Sequence, residues 1–295
     1  MKTTPIADME KTSDIESLQN QRQMKVLLHS EKIRRLPSHP LHIKLGEGTK
    51  NRLKRNSLNH LTKDLRGPLE PILQPYHVPC ESLSPNRWQN TQMEVETRVS
   101  IPGITGKKDQ ISAAQRAFAL EYLEQEYPTD TWVHVYTDGS AVDATRNGGS
   151  GVFIQKPDQQ TVSIFLPVGS TCTNFRAEVK AITTAANHLT ISEEPPLNTV
   201  ILTDSLSTLL ALTANHADAL VRELQDSLRR LCHRQRVILQ WIPAHCGIPG
   251  NEKADGLARA GSNLDQPQVD LSYSENEDST EEPVQNLLET QPWEL

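Results

Sequence analysis

The chain has 295 residues, is 36% hydrophobic and 23% charged, and carries a formal net charge of −7. Cys80, Cys172, Cys232 and Cys246 are too few and too scattered for a disulfide scaffold. No run approaches the roughly 18 apolar residues of a membrane span, and the opening MKTTPIADMEKTSD has no apolar core of a signal peptide, so a soluble protein of the cytoplasm or nucleus is expected.

The charge is uneven. Residues 1–110 balance to +6, residues 111–261 to −4 and residues 262–295 to −9. Residues 13–36 (SDIESLQNQRQMKVLLHSEKIRRL) are expected to be helical, with Ser13 and Glu16 as a capping box and Pro37 and Pro40 ending the run. From 38 to about 108 the chain is rich in Pro, Asn and charge without a sustained period, which predicts an extended connector. Within it, KNRLKR at 50–55 reads as a solvated basic face, with a nuclear signal or phosphate patch as the alternative. A helix over 111–126 then leads in to a different texture.

From 131 to 262 short β-branched runs alternate with helical ones. WVHVYT (132–137), GGSGVFIQ (148–155) and TVSIFLPV (161–168) predict three antiparallel strands, each bounded by turn residues. A helix over 173–190 follows, then strand 198–204, two helices within 205–214 and 217–233, strand 236–242 and a last helix over 250–260. The expected fold class is α/β: a five-stranded mixed sheet, three antiparallel strands then two parallel, flanked by helices. The tail from 263 has the acidic, Ser- and Pro-containing composition of a disordered segment.

Four carboxylates stand out. HVYTDGSA ends a strand in Asp138, and TVILTDS ends another in Asp204. If those strands are parallel neighbours, both carboxylates emerge at the carboxyl edge of the sheet, where α/β sites form. Glu178 lies inside the helix between them, and Asp255 lies in the first turns of the last helix. Each alone has an ordinary explanation, such as a turn, a solvent-facing acid or a helix-dipole partner. Converging, they would repel one another unless cations were bound. Oxygen ligands select Mg²⁺ or Mn²⁺, and two such ions about 4 Å apart can clamp a phosphodiester.

The order YTDGS, TNFRAE, LTDS and WIPAHCGIPGNEKAD over residues 131–262 resembles the type 1 ribonuclease H family, most closely the domain of jockey-like non-LTR retrotransposon polyproteins. The resemblance implies a ribonuclease H-like fold and hydrolysis of the RNA strand of RNA–DNA hybrids. It further implies two Mg²⁺ ions, with Mn²⁺ as substitute, held by Asp138, Glu178, Asp204 and Asp255. By the same resemblance His245 is a loop histidine assisting proton transfer or product release, and Asn174, Gly139 and Ser140 contact the nucleic acid. Local readings stand beside these: a turn-capping His245 and a plain N-cap at Asn174. Arg176 is left between packing and phosphate contact.

Some relatives insert a basic helix between the third and fourth carboxylates. Here residues 205–235 hold two helices, and the clustered bases are Arg229, Arg230, Arg234 and Arg236. The segment 1–110 resembles the polymerase-connection region of the same elements, so a reverse transcriptase domain supplied in trans is an expected partner. The chain then reads as a remnant of a longer polyprotein or a gene derived from one. Cys232-His233 and His245-Cys246 do not make a zinc site, because a seven-residue strand separates them by roughly 23 Å. The rival reading is a non-catalytic nucleic-acid-binding relic of the same fold. An integrase of the superfold fits poorly, since its three carboxylates leave the helical glutamate unexplained.

Overall fold

β-branched and aromatic side chains favour the pleated backbone, and their alternation decides what each sheet face buries. In the computed structural model, which describes residues 95–104, 111–193, 195–213 and 219–269 together with Arg22, Lys25, Val26 and His29, that alternation builds a sheet between two layers of helices. The elements are β1 (Glu96–Arg98), α1 (Ser112–Glu126), β2 (Val133–Val142), β3 (Arg146–Gln155), β4 (Thr161–Thr171), α2 (Asn174–Ile191), β5 (Thr199–Thr203), α3 (Leu206–Thr213), α4 (Ala219–Cys232), β6 (Val237–Trp241) and α5 (Pro249–Ser262). They lie in one compact unit, Trp88–Val269.

The sheet has six strands in the order β1-β6-β5-β2-β3-β4, not the five expected. β2, β3 and β4 form the antiparallel meander, while β5, β6 and β1 run parallel to β2. The extra strand comes from the stretch taken as a connector. Its three residues are too short to show a period, and pairing with β6 supplies what their sequence lacks. The β2–β3 turn places Asp143 and Ala144 at φ 51° and 62°, the left-handed backbone that a tight hairpin needs to match strand twist.

Along β2, Val133 and Val135 face α2, while Trp132 and Tyr136 face the other way, toward α1 and α5. The first face packs Val152, Ile201 and Leu239 against Val179 and Ile182 of α2 and the leucines of α3 and α4. The second packs Tyr136, Phe153, Leu202 and Ile238 against Leu123 of α1 and Ala254 of α5. The lead-in helix is thus part of the core. Tyr127, at its end, donates its hydroxyl proton to Gln240 Oε1 (3.1 Å), and the His134 ring lies 2.6 Å from the Tyr127 carbonyl. Burial lowers the His134 pKa, so the ring is neutral and donates through Nε2.

Of the expected helix at 13–36, the four described positions Arg22, Lys25, Val26 and His29 are helical; the rest lies outside the described residues, as do KNRLKR and the tail beyond 269. Among the described residues no helix is long and apolar enough to cross a membrane.

α5 approaches the sheet so closely that a Cβ added at Gly151 would sit 2.1 Å from the Ala254 carbonyl oxygen and 2.4 Å from the Ala258 nitrogen. Both obstacles are backbone and cannot swing away. Gly151→Ala is therefore expected to destabilise the protein by about 1–3 kcal/mol or more, read as a lower urea midpoint. An unchanged midpoint would contradict this packing.

Candidate metal centre

Parallel pairing of β2 with β5 puts Thr137 opposite Thr203, so the next residues, Asp138 and Asp204, follow side by side where that pairing ends; β2 itself, expected to stop at 137, runs on to Val142 against β3. The third carboxylate arrives from above. Thr173 caps α2 by accepting a hydrogen bond from the Arg176 N–H, and one turn later Glu178 is carried over Gly139. That crossing is tight: a Cβ at Gly139 would meet the Glu178 nitrogen at 2.2 Å. Gly139 is needed there because α2 and β2 touch through their backbones.

One carboxylate oxygen from each of Asp138, Glu178 and Asp204 lies within 4.8 Å of the others. Asp138 is 8% exposed, and Glu178 Oε2 is buried without a hydrogen-bond partner. Burial, then the neighbouring Asp204 and Asp255 charges, push Asp138 up to about 7. Burial followed by Asp138 and Asp204 raises Glu178 well above the usual carboxylate range, and burial raises Asp204. The Gly139 N–H, 2.8 Å from Asp138 Oδ1, offsets part of this. The donor set fits a divalent cation: all oxygen, negatively charged, and including one buried oxygen with nothing else to bind.

Asp255 stands apart from the trio. It projects from α5 into an ion pair with Arg259 one turn on (2.7 Å), while remaining near enough to raise both aspartates. His245 is exposed in the loop after β6, with φ 49°, near enough to Asp204 to offset part of the rise that burial imposes on it. Asn174 is not the cap of α2; its Oδ1 accepts from the Ala141 N–H (3.0 Å), tying the helix start to β2. Ser140 pairs with Gly149 across the hairpin, and the Gly139 N–H points at the carboxylates. Arg176 is buried.

Two residues that support the site were not singled out in the sequence for this role. Asn251 donates through Nδ2 to Asp204 Oδ2 (3.2 Å), and Trp241 Nε1 donates to the Asp204 carbonyl (3.2 Å). Trp241 also packs on the core. Asn251 sits inside PGNEKAD and had a signal in its position, one turn before Asp255. The clustered bases of 229–236 all have partners within the chain. Arg229 pairs with Asp226, Arg230 reaches Asn187 and Ser227, Arg234 holds carbonyls at the end of α2, and Arg236 lies by Glu96 and over the Trp132 ring. Cys232 and Cys246 lie at opposite ends of β6.

Residues 130–263 match the RNase H family model. Similar solved structures include the N-terminal RNase H domain of a Mycobacterium tuberculosis protein, solved as a fusion with maltose binding protein. It is 18% identical, with a TM-score of 0.38, and the match covers 45% of this chain and 94% of that one. Another is RNase H1 from the halophilic archaeon Halobacterium salinarum, 22% identical with a TM-score of 0.37, covering 44% of this chain and 96% of that one. The matched residues hold β2 through α5, strands of the mixed sheet and the helices that flank it.

A carboxyl whose pKa rises on folding keeps its proton in the folded state after the unfolded chain has lost it. Stability is then greatest below the unfolded pKa and falls as pH climbs toward the folded one. For Asp138 the window runs from its ordinary 3.8 to about 7. Urea unfolding in chelator should therefore show stability falling across that window, less so in Asp138→Asn. A stability that rises there in the unsubstituted protein would contradict the buried, mutually repelling carboxylates.

Proposed function

We propose that the chain is a metal-dependent endonuclease that hydrolyses the RNA strand of RNA–DNA hybrids, leaving 5′-phosphate and 3′-hydroxyl ends. The observation that carries this reading is Glu178, which offers one oxygen within 4.8 Å of oxygens of Asp138 and Asp204 and whose Oε2 is buried without a hydrogen-bond partner. A carboxylate oxygen in that position is costly unless a cation binds it. The family match over residues 130–263 supports phosphodiester hydrolysis as the chemistry of that cation.

Asp138 and Asp204 would hold two Mg²⁺ ions, or Mn²⁺ in their place, with Glu178 on the leaving-group side. Asp255, now paired with Arg259, would be the fourth carboxylate available to the ions. Bound there, the ions supply charge neutralisation at the phosphate and an activated water. His245, exposed on its loop beside Asp204, takes or delivers a proton at the departing end of the product. The backbone at Gly139 and Ser140 and the side chain of Asn174 would face the sugar edge of the RNA strand, whose 2′-hydroxyls distinguish RNA from DNA. Because the bases of 229–236 are engaged within the chain, hold on the hybrid falls to other residues. The basic segment 1–110, or a reverse transcriptase domain in trans, fits that need if the chain derives from a non-LTR retrotransposon.

A second reading, a non-catalytic relic of the same fold, rests on the Asp255–Arg259 ion pair, which holds the fourth carboxylate away from a metal-binding role. An end-labelled hybrid in Mg²⁺ decides between them. The expected result is cleavage of the hybrid's RNA strand with single-stranded RNA untouched, and a loss of at least about 100-fold in Asp204→Asn. Binding without cleavage in Mg²⁺ or Mn²⁺, by folded protein, would establish the relic.

A further inference from the structure

Among the described residues, two buried side-chain polar atoms have no hydrogen-bond partner, Glu178 Oε2 and Asn251 Oδ1. Native proteins leave few such atoms, and each asks for a cause. Both belong to one place. Glu178 is a member of the carboxylate trio, and Asn251 is hydrogen-bonded to another member, Asp204.

Asn251 is 4% exposed in the first turn of α5, just after Pro249 starts the helix. Turning its amide over does not relieve the orphan oxygen, because Oδ1 would then face the Asp204 carboxylate and repel it. The amide is therefore fixed with its N–H on Asp204 Oδ2. That bond fixes the carboxylate's orientation and leaves its other oxygen for another partner. Trp241 meanwhile anchors the Asp204 carbonyl. Asp204 is held at main chain and side chain alike.

We propose that Asn251 is a positioning residue of the cation site, fixing the Asp204 carboxylate through Nδ2 and accepting through Oδ1 a hydrogen bond from the cation's hydration water. The inference rests on reading the trio as a cation site. Mg²⁺ and ions like it usually keep several waters, which are strong donors, so a buried acceptor beside the ligands gains its partner when the ion enters. Partners that orient metal ligands commonly matter 10–100-fold in metal affinity.

Calorimetric titration of the full chain with Mn²⁺, beside melting with and without the ion, tests this. Asn251→Ala is expected to weaken Mn²⁺ binding by about 10–100-fold and to shrink the ion-induced rise in Tm, while the ion-free Tm changes little. Asn251→Ser, which keeps a small donor and acceptor, should fall between Ala and the unsubstituted protein, and it decides the matter if the alanine variant fails to fold. Unchanged Mn²⁺ affinity in the variants, with binding intact in the unsubstituted chain, overturns the inference alone. A lowered ion-free Tm with an undiminished ion-induced rise makes Asn251 a core amide and also overturns it. If the folded, unsubstituted chain binds no Mn²⁺, the cation-site reading itself falls.

Discussion

The structure turns on the burial of three carboxylates at one edge of a sheet. Ionised together in a poorly hydrated corner, Asp138, Glu178 and Asp204 are disfavoured by burial, and Asp138 and Glu178 also by the charge of Asp204, so the pKa of each is raised. The surrounding architecture keeps them together despite that cost. Parallel pairing aligns the two aspartates, Gly139 lets α2 lean on β2, and α5 closes over β3 to present Asn251 and Asp255. These contacts preorganise the cluster by packing.

The same logic extends past the family-matched region. β1 and α1 precede residue 130, yet Ile101, Ala119 and Leu123 pack with Ile242, Cys246 and Ile248, which bracket the loop carrying His245. Arg116 of α1 lies against Gly247 in that loop. Residues outside the matched domain thus form one wall of the loop's seat, and they enter the same core through Tyr127 and Gln240.

Much of this was legible in the chain itself. Two β-branched runs closing in Thr-Asp located Asp138 and Asp204, although β2 runs on past Asp138 to Val142 because β3 pairs with it there. The helix bearing Glu178 was visible from its apolar spacing. What stayed hidden depended on long-range pairing. β1 has three residues and no period of its own, and only β6 makes it a strand. Asn174 looks like a cap, but Thr173 does the capping and Asn174 ties to Ala141, a choice set by the angle between helix and hairpin. Asn251 was hidden by the more conspicuous Asp255, whose own carboxylate is drawn aside by Arg259, a pairing implicit in the four-residue spacing.

The most direct measurement is an anomalous difference map from crystals of the full chain grown with Mn²⁺. The account predicts a peak at bonding distance from one oxygen each of Asp138, Glu178 and Asp204, with Glu178 Oε2 engaged. A map with no peak at the trio, or with Mn²⁺ bound elsewhere while Glu178 Oε2 stays without a partner, would contradict it.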